Sequence, residues 1–132
     1  MIDHVNAIAL TVRDVRTCAE FYRDKLGLKA DMIEENEAYL SFGKKGSPVL
    51  AIIGARGLAK ELPAKRIRPE EPAFNRNYIA VFLENADEVY ETMRKNGVQF
   101  LQPPATRPNG QRYAFFEDPE GNLWEISHFP KE

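Results

Sequence analysis

The chain carries two copies of one pattern. Residues 7–12 (Ala-Ile-Ala-Leu-Thr-Val) and 78–83 (Tyr-Ile-Ala-Val-Phe-Leu) both place large aliphatics on alternate positions, as a half-buried strand does. Each run is followed by a helix signal. Asp14 precedes the helically spaced Val15, Cys18, Ala19, Tyr22 and Leu26, and Gly27 follows as a stop. Asn85 precedes Ala86, Val89, Tyr90 and Met93, with Glu88 in capping-box position and Gly97 as the stop. The copies are offset by 71 positions, and Ile8/Ile79, Ala9/Ala80, Glu20/Glu91 and Arg23/Arg94 are identical pairs.

Three short strand-like runs follow each helix, near 29–34, 38–43 and 48–53, then near 98–101, 112–117 and 122–128. Turn signals at 43–47 and at Asp118-Pro119-Glu120-Gly121-Asn122 separate the last two runs of each half. The chain therefore reads βαβββ twice, over about 5–53 and 77–129. Residues 54–76 form a linker punctuated by Gly54, Gly57, Pro63, Pro69 and Pro72.

One βαβββ unit leaves a sheet edge and a sheet face uncovered, so two copies stabilise each other. The expected fold is α+β, two βαβββ modules forming an incomplete barrel within one domain. Helices cover the face carrying Ile8, Leu10, Val12, Ile79, Val81 and Leu83. The opposite face, with Ala7, Ala9, Thr11, Tyr78, Ala80 and Phe82, lines a cup whose small residues leave room for a ligand. Tyr39, Tyr113 and Phe115 are aromatic walls of that cup, with core packing as the alternative for each. Leu50 and Ile52, from the run at 48–53, complete the expected lining.

Composition narrows the function classes. The 132 residues include 18 basic and 20 acidic side chains, a net charge of −2, without the basic excess of a nucleic-acid binder. No apolar run approaches the ~18 residues of a membrane span, and Met1-Ile2-Asp3-His4 does not open a signal peptide. A single cysteine, Cys18, forms no internal disulfide and fits a cytoplasmic, reducing compartment. Its place on the buried stripe of the first helix makes it a packed thiol rather than a nucleophile.

The segment from Ala7 to Val15, the run Ala19-Glu20-Phe21-Tyr22-Arg23-Asp24-Lys25-Leu26-Gly27-Leu28 and the closing run from Phe115 to Ile126 resemble the vicinal oxygen chelate superfamily. That group contains glyoxalase I, fosfomycin-resistance enzymes, extradiol dioxygenases, methylmalonyl-CoA epimerase and bleomycin-resistance proteins. The resemblance implies the paired-module fold, a small-molecule ligand and a homodimer. It speaks weakly to the reaction, because this fold hosts several chemistries and pure binders.

In metal-dependent members, His, Glu or Gln ligands stand on the first and last strands of each half. Carried over residue by residue, those positions are Ala7, Leu50, Tyr78 and Glu125, so only Glu125 is a usual ligand. A zinc-, nickel- or iron-type cation needs three or four donors. The expectation is a metal-independent binding protein without a cofactor. The alternative is a metal-dependent lyase, epimerase or dioxygenase, lactoylglutathione-lyase-like, holding Ni, Zn, Fe or Mn through Glu125 and His4. His4 lies ten residues before Asp14 rather than seven, on the face opposite Ala7, unless a bulge reverses the alternation. It otherwise reads as a strand-end histidine.

Glu125 is the one candidate catalytic residue. It is either a structural carboxylate bonded to a neighbour such as Tyr78, or a general acid/base or ligand-orienting group whose pKa burial would raise in the absence of a cation. His128 and Trp124 fall on the helix side by alternation. Arg56, Lys60, Lys65, Arg66 and Arg68 make the linker a solvated arm or a basic lid over an anionic ligand.

Overall fold

The structure, a computed structural model, describes residues 1–63, 65–71 and 76–131. The chain divides into two compact units, Met1–Pro72 and Ala73–Glu132. The architecture is α+β, each unit with its own sheet. Among the described residues no helix is long and apolar enough to cross a membrane.

In the first unit the order is β1 (Ala7–Val12), α1 (Val15–Asp24), β2 (Lys29–Ile33), β3 (Glu37–Ser41), β4 (Val49–Gly54) and α2 (Ala55–Glu61). The sheet order is β1-β4-β3-β2, with β1 parallel to β4 and the other pairs antiparallel. Asp14 caps α1 by accepting the Thr17 backbone N–H at 3.1 Å. Its carboxyl is held below the ordinary value chiefly by that bond, then by the Thr17 hydroxyl. The register pairs Ile8 with Leu50, Leu10 with Ile52, Ala38 with Ile52 and Leu40 with Leu50, so these six side chains share one face. Helix α1 packs there with Cys18, Ala19 and Tyr22 buried, and Leu40, Leu50 and Ile52 are fully buried. Each such aliphatic contributes about 1.5–3 kcal/mol on burial.

That register corrects one expectation. Leu50 and Ile52 face the helix, not the small residues Ala7, Ala9 and Thr11, whose neighbours on β4 are Val49, Ala51 and Ile53. The segment expected as a linker also begins with a helix, α2; its residues 64 and 72–75 lie outside the described residues.

The second unit repeats the plan with β5 (Ile79–Phe82), α3 (Ala86–Lys95), β6 (Gln99–Phe100), β7 (Ala105–Thr106), β8 (Arg112–Glu117) and β9 (Leu123–His128). The sheet order is β5-β9-β8-β6, and the short β7, not anticipated from sequence, also pairs with β8. Asn85 caps α3 by accepting the Glu88 N–H at 3.1 Å. Gly97, at φ +90°, closes the helix: its N–H donates to Arg94 and that of Val98 to Met93. The helix-side face carries Phe100, Phe116 and Trp124, with Phe116 and Trp124 stacked at 6.0 Å.

Candidate functional site

Helix-free sheet faces carry most of the residues expected to bind a ligand. In the first unit that face holds Ala7, Ala9 and Thr11 on β1, Ala51 on β4 and Tyr39 on β3, paired with Ala51. The Tyr39 hydroxyl donates to Glu37 at 3.4 Å, and the Glu37 charge pushes the phenol above its ordinary value. A cleft of about 370 Å³ opens at one end of this unit among Arg13, Glu37, Ile53, Arg56 and Glu61. Its charges are of both signs, so it selects no single class of ion.

In the second unit the register sets Ala80, Glu125 and Phe115 side by side across β5, β9 and β8, and Phe82, Ser127 and Tyr113 beside them. Tyr78 precedes β5 and meets Phe115 edge to face at 5.3 Å; Tyr113 meets Phe115 at 5.8 Å. Phe82 is 77% exposed. The structure thus brings Tyr78, Phe82, Tyr113, Phe115 and Glu125 into one patch.

At its centre lies an ion pair that the sequence did not reveal. Arg107 donates from Nη2 to Glu125 Oε2 at 2.6 Å. Only 3% of the Glu125 side chain and 29% of the Arg107 side chain are exposed. Arg107 Nη1 donates to Gln111 Oε1 at 2.7 Å, and Gln111 Nε2 donates to Ser127 Oγ at 3.1 Å. The guanidinium also lies over the Tyr113 ring, 4.1 Å from its centroid, a cation–π contact. The Glu125 hydrogen bond pushes the Arg107 guanidinium above its already high ordinary value. Glu125 is therefore not a carboxylate without a cationic neighbour, and Tyr78 is not its partner.

A tight turn delivers Arg107. The Arg107 N–H donates to the Gln111 carbonyl at 2.9 Å, the Gly110 N–H donates back to the Arg107 carbonyl at 2.9 Å, and Gly110 sits at φ +90°. This is a hairpin loop through Pro108-Asn109 with glycine in the left-handed position. The Asn109 side chain accepts the Gln111 N–H at 3.0 Å and fixes the loop from inside. The Pro-Asn-Gly triplet was the signal that could have found the hairpin. Nothing in it says which strand residue the arginine reaches.

The donor set does not fit a transition-metal centre. Ala7 has no side-chain donor, Leu50 faces the helix, and the one carboxylate already holds a guanidinium. His4 lies ahead of β1, exposed, with Nδ1 at 2.5 Å from Asp3 Oδ1. Among the described residues no three His, Cys, Asp or Glu side chains are grouped as metal ligands would be. His128 serves the fold, accepting the Ala86 N–H at Nδ1 (2.7 Å) at the start of α3. The Asp118 carboxylate accepts the Glu120 and Asn122 N–H groups of its own turn, each at 2.9 Å.

A family model described as the Glyoxalase/Bleomycin resistance protein/Dioxygenase superfamily matches residues 2–126. An uncharacterized protein of Shewanella frigidimarina (strain NCIMB 400) is 34% identical over 125 residues, covering 90% of this chain and 88% of that one. A crystal structure of a glyoxalase/bleomycin resistance protein/dioxygenase from Nocardioides is similar at 27% identity and a TM-score of 0.84, covering 99% of this chain and 86% of that one. The lactoylglutathione lyase of Agrobacterium tumefaciens shares the fold at a TM-score of 0.72 and 19% identity, covering 97% and 95%.

Proposed function

The chain belongs to the glyoxalase/bleomycin resistance protein/dioxygenase superfamily, and from that premise we propose that it is a metal-independent protein that binds a small molecule against the aromatic patch around Glu125. The observation that carries this reading is the Arg107–Glu125 pair. A metal ion at Glu125 would meet a carboxylate already paired with a guanidinium that is also held by Gln111 and Tyr113. The residues paired directly with Glu125 across its sheet, Ala80 and Phe115, offer no second imidazole or carboxylate. The same residues suit a flat, largely apolar ligand. Phe115 and Tyr78 offer ring surface, Ala80 leaves space, and the buried ion pair supplies a fixed polar point for orientation.

The protein works on this reading as a cytoplasmic homodimer, in keeping with its superfamily and with a single buried thiol, Cys18. The test is metal analysis of the purified protein, paired with a small-molecule screen read by backbone amide NMR. The expected result is less than stoichiometric metal and ligand-induced shifts clustered on β8 and β9. Stoichiometric nickel, zinc, iron or manganese that is lost in Glu125→Ala would overturn the reading in favour of a metal-dependent lyase, epimerase or dioxygenase.

A further inference from the structure

The two oxygens of Glu125 differ. Oε2 takes the Arg107 bond, while Oε1 has no hydrogen-bond donor among the described residues. No fully buried side-chain oxygen or nitrogen lacks a partner there, so Oε1 is the part of this nearly buried carboxylate that reaches the surface. A carboxylate paired with a guanidinium only accepts hydrogen bonds. An acceptor that reaches the surface from an otherwise buried carboxylate, with no protein donor on it, is a point of recognition for a ligand that brings its own donor.

The surrounding charges decide which ligands can use that point. Both terminal nitrogens of Arg107 already donate, one to Glu125 and one to Gln111, and its charge is matched by Glu125. Glu117 lies on the same sheet face, paired across strands with Leu123 and Gln99. The basic Arg112 is on the helix side, bound to Asp87. The patch therefore holds two carboxylates and one arginine and repels an anion. The rings of Phe115 and Tyr113 lie on the sheet face that carries Glu125, and Tyr78 meets Phe115 edge to face, so the face around the carboxylate is largely apolar.

We propose that this site selects neutral aromatic molecules bearing a hydroxyl or N–H donor, which is given to Glu125 Oε1 while the ring lies against Phe115 and Tyr78. Arg107 sets the specificity by occupying Oε2, which leaves Oε1 to the ligand. The inference rests on the reading of this patch as the ligand site, and it excludes the basic-lid alternative in which the ligand is an anion.

Three probes of one shape test it on the unaltered protein at pH 7: 2-naphthol, 2-methoxynaphthalene and 2-naphthoate. Affinities come from titration, and the binding site from amide shifts on β8 and β9. The naphthol is expected to bind about tenfold more tightly than either analogue, with shifts at Phe115, Glu125 and Ser127. If shifts map to these strands but the methyl ether matches the naphthol, or the naphthoate binds best, donor selection is overturned and the ligand site stands. If no probe shifts these strands, both the selection and the site are overturned.

Discussion

Arg107 and Glu125 are 18 residues apart in the chain and joined by a 2.6 Å hydrogen bond in the fold. The pair occupies the one carboxylate among the four positions, Ala7, Leu50, Tyr78 and Glu125, that the family resemblance marks for metal ligands. It makes Glu125 one half of an ion pair within an aromatic surface.

Breaking that pair from either side should be costly, because the partner is left charged in a dehydrated place. Arg107→Met is expected to lower unfolding stability by about 2–4 kcal/mol, at the lower end because the arginine is partly exposed. The double variant Arg107→Met with Glu125→Leu should recover most of the loss. Urea unfolding of the two variants checks this; a double variant as unstable as the single one would deny that the pair is coupled.

Gln111 supports the same network from below. Replacing it with leucine strands the Ser127 hydroxyl, which has no exposure, and frees Arg107 Nη1. The expected cost is about 1–3 kcal/mol, with faster amide exchange at Arg107 and Gly110 as the hairpin loosens. Exchange unchanged at those two sites would show that the loop holds itself.

The face assignment of β4 is open to direct test. Leu50→Ala removes a side chain with no exposure from beneath α1 and should cost about 2–5 kcal/mol. Ala51→Ser, one residue on and turned to the helix-free side, should be much milder. Equal costs in thermal unfolding would contradict the register of β1 with β4.

Stability should also fall at acid pH through Asp87. The hydrogen bonds from Arg112 hold its carboxyl below the ordinary 3.8, with burial opposing and the Arg112 charge adding to the effect. The unfolded chain then binds the proton first as pH falls. The contribution is fully present above about pH 4 and disappears as pH drops through the folded value. Because 47% of the Asp87 side chain is exposed, the pair is worth about 1 kcal/mol or less. The stability difference between the protein and Asp87→Asn should shrink between pH 5 and pH 2; a constant difference would contradict the linkage.

The caps supply a smaller check. Asp14→Ala should cost about 1 kcal/mol by leaving the Thr17 N–H without its acceptor, whereas Asp14→Asn should cost little. Equal losses for the two variants in chemical unfolding would assign the effect to charge rather than to the cap bond.

What the sequence determined by itself is what short-range signals control. The offset repeat, the alternation of Ile8, Leu10 and Val12, the caps at Asp14 and Asn85 and the glycine stop at Gly97 specify two βαβββ modules, because each signal acts within a few residues of itself. The run Val49-Leu50-Ala51-Ile52-Ile53 was ambiguous, since a continuous apolar strand has no polar face to mark its orientation, and only pairing with β1 turned Leu50 and Ile52 toward the helix. Tertiary structure alone decided the character of Glu125. The hairpin at Pro108-Asn109-Gly110 is local, but the residue that Arg107 meets at its end depends on how β8 and β9 lie in register, and that contact makes Glu125 one half of an ion pair.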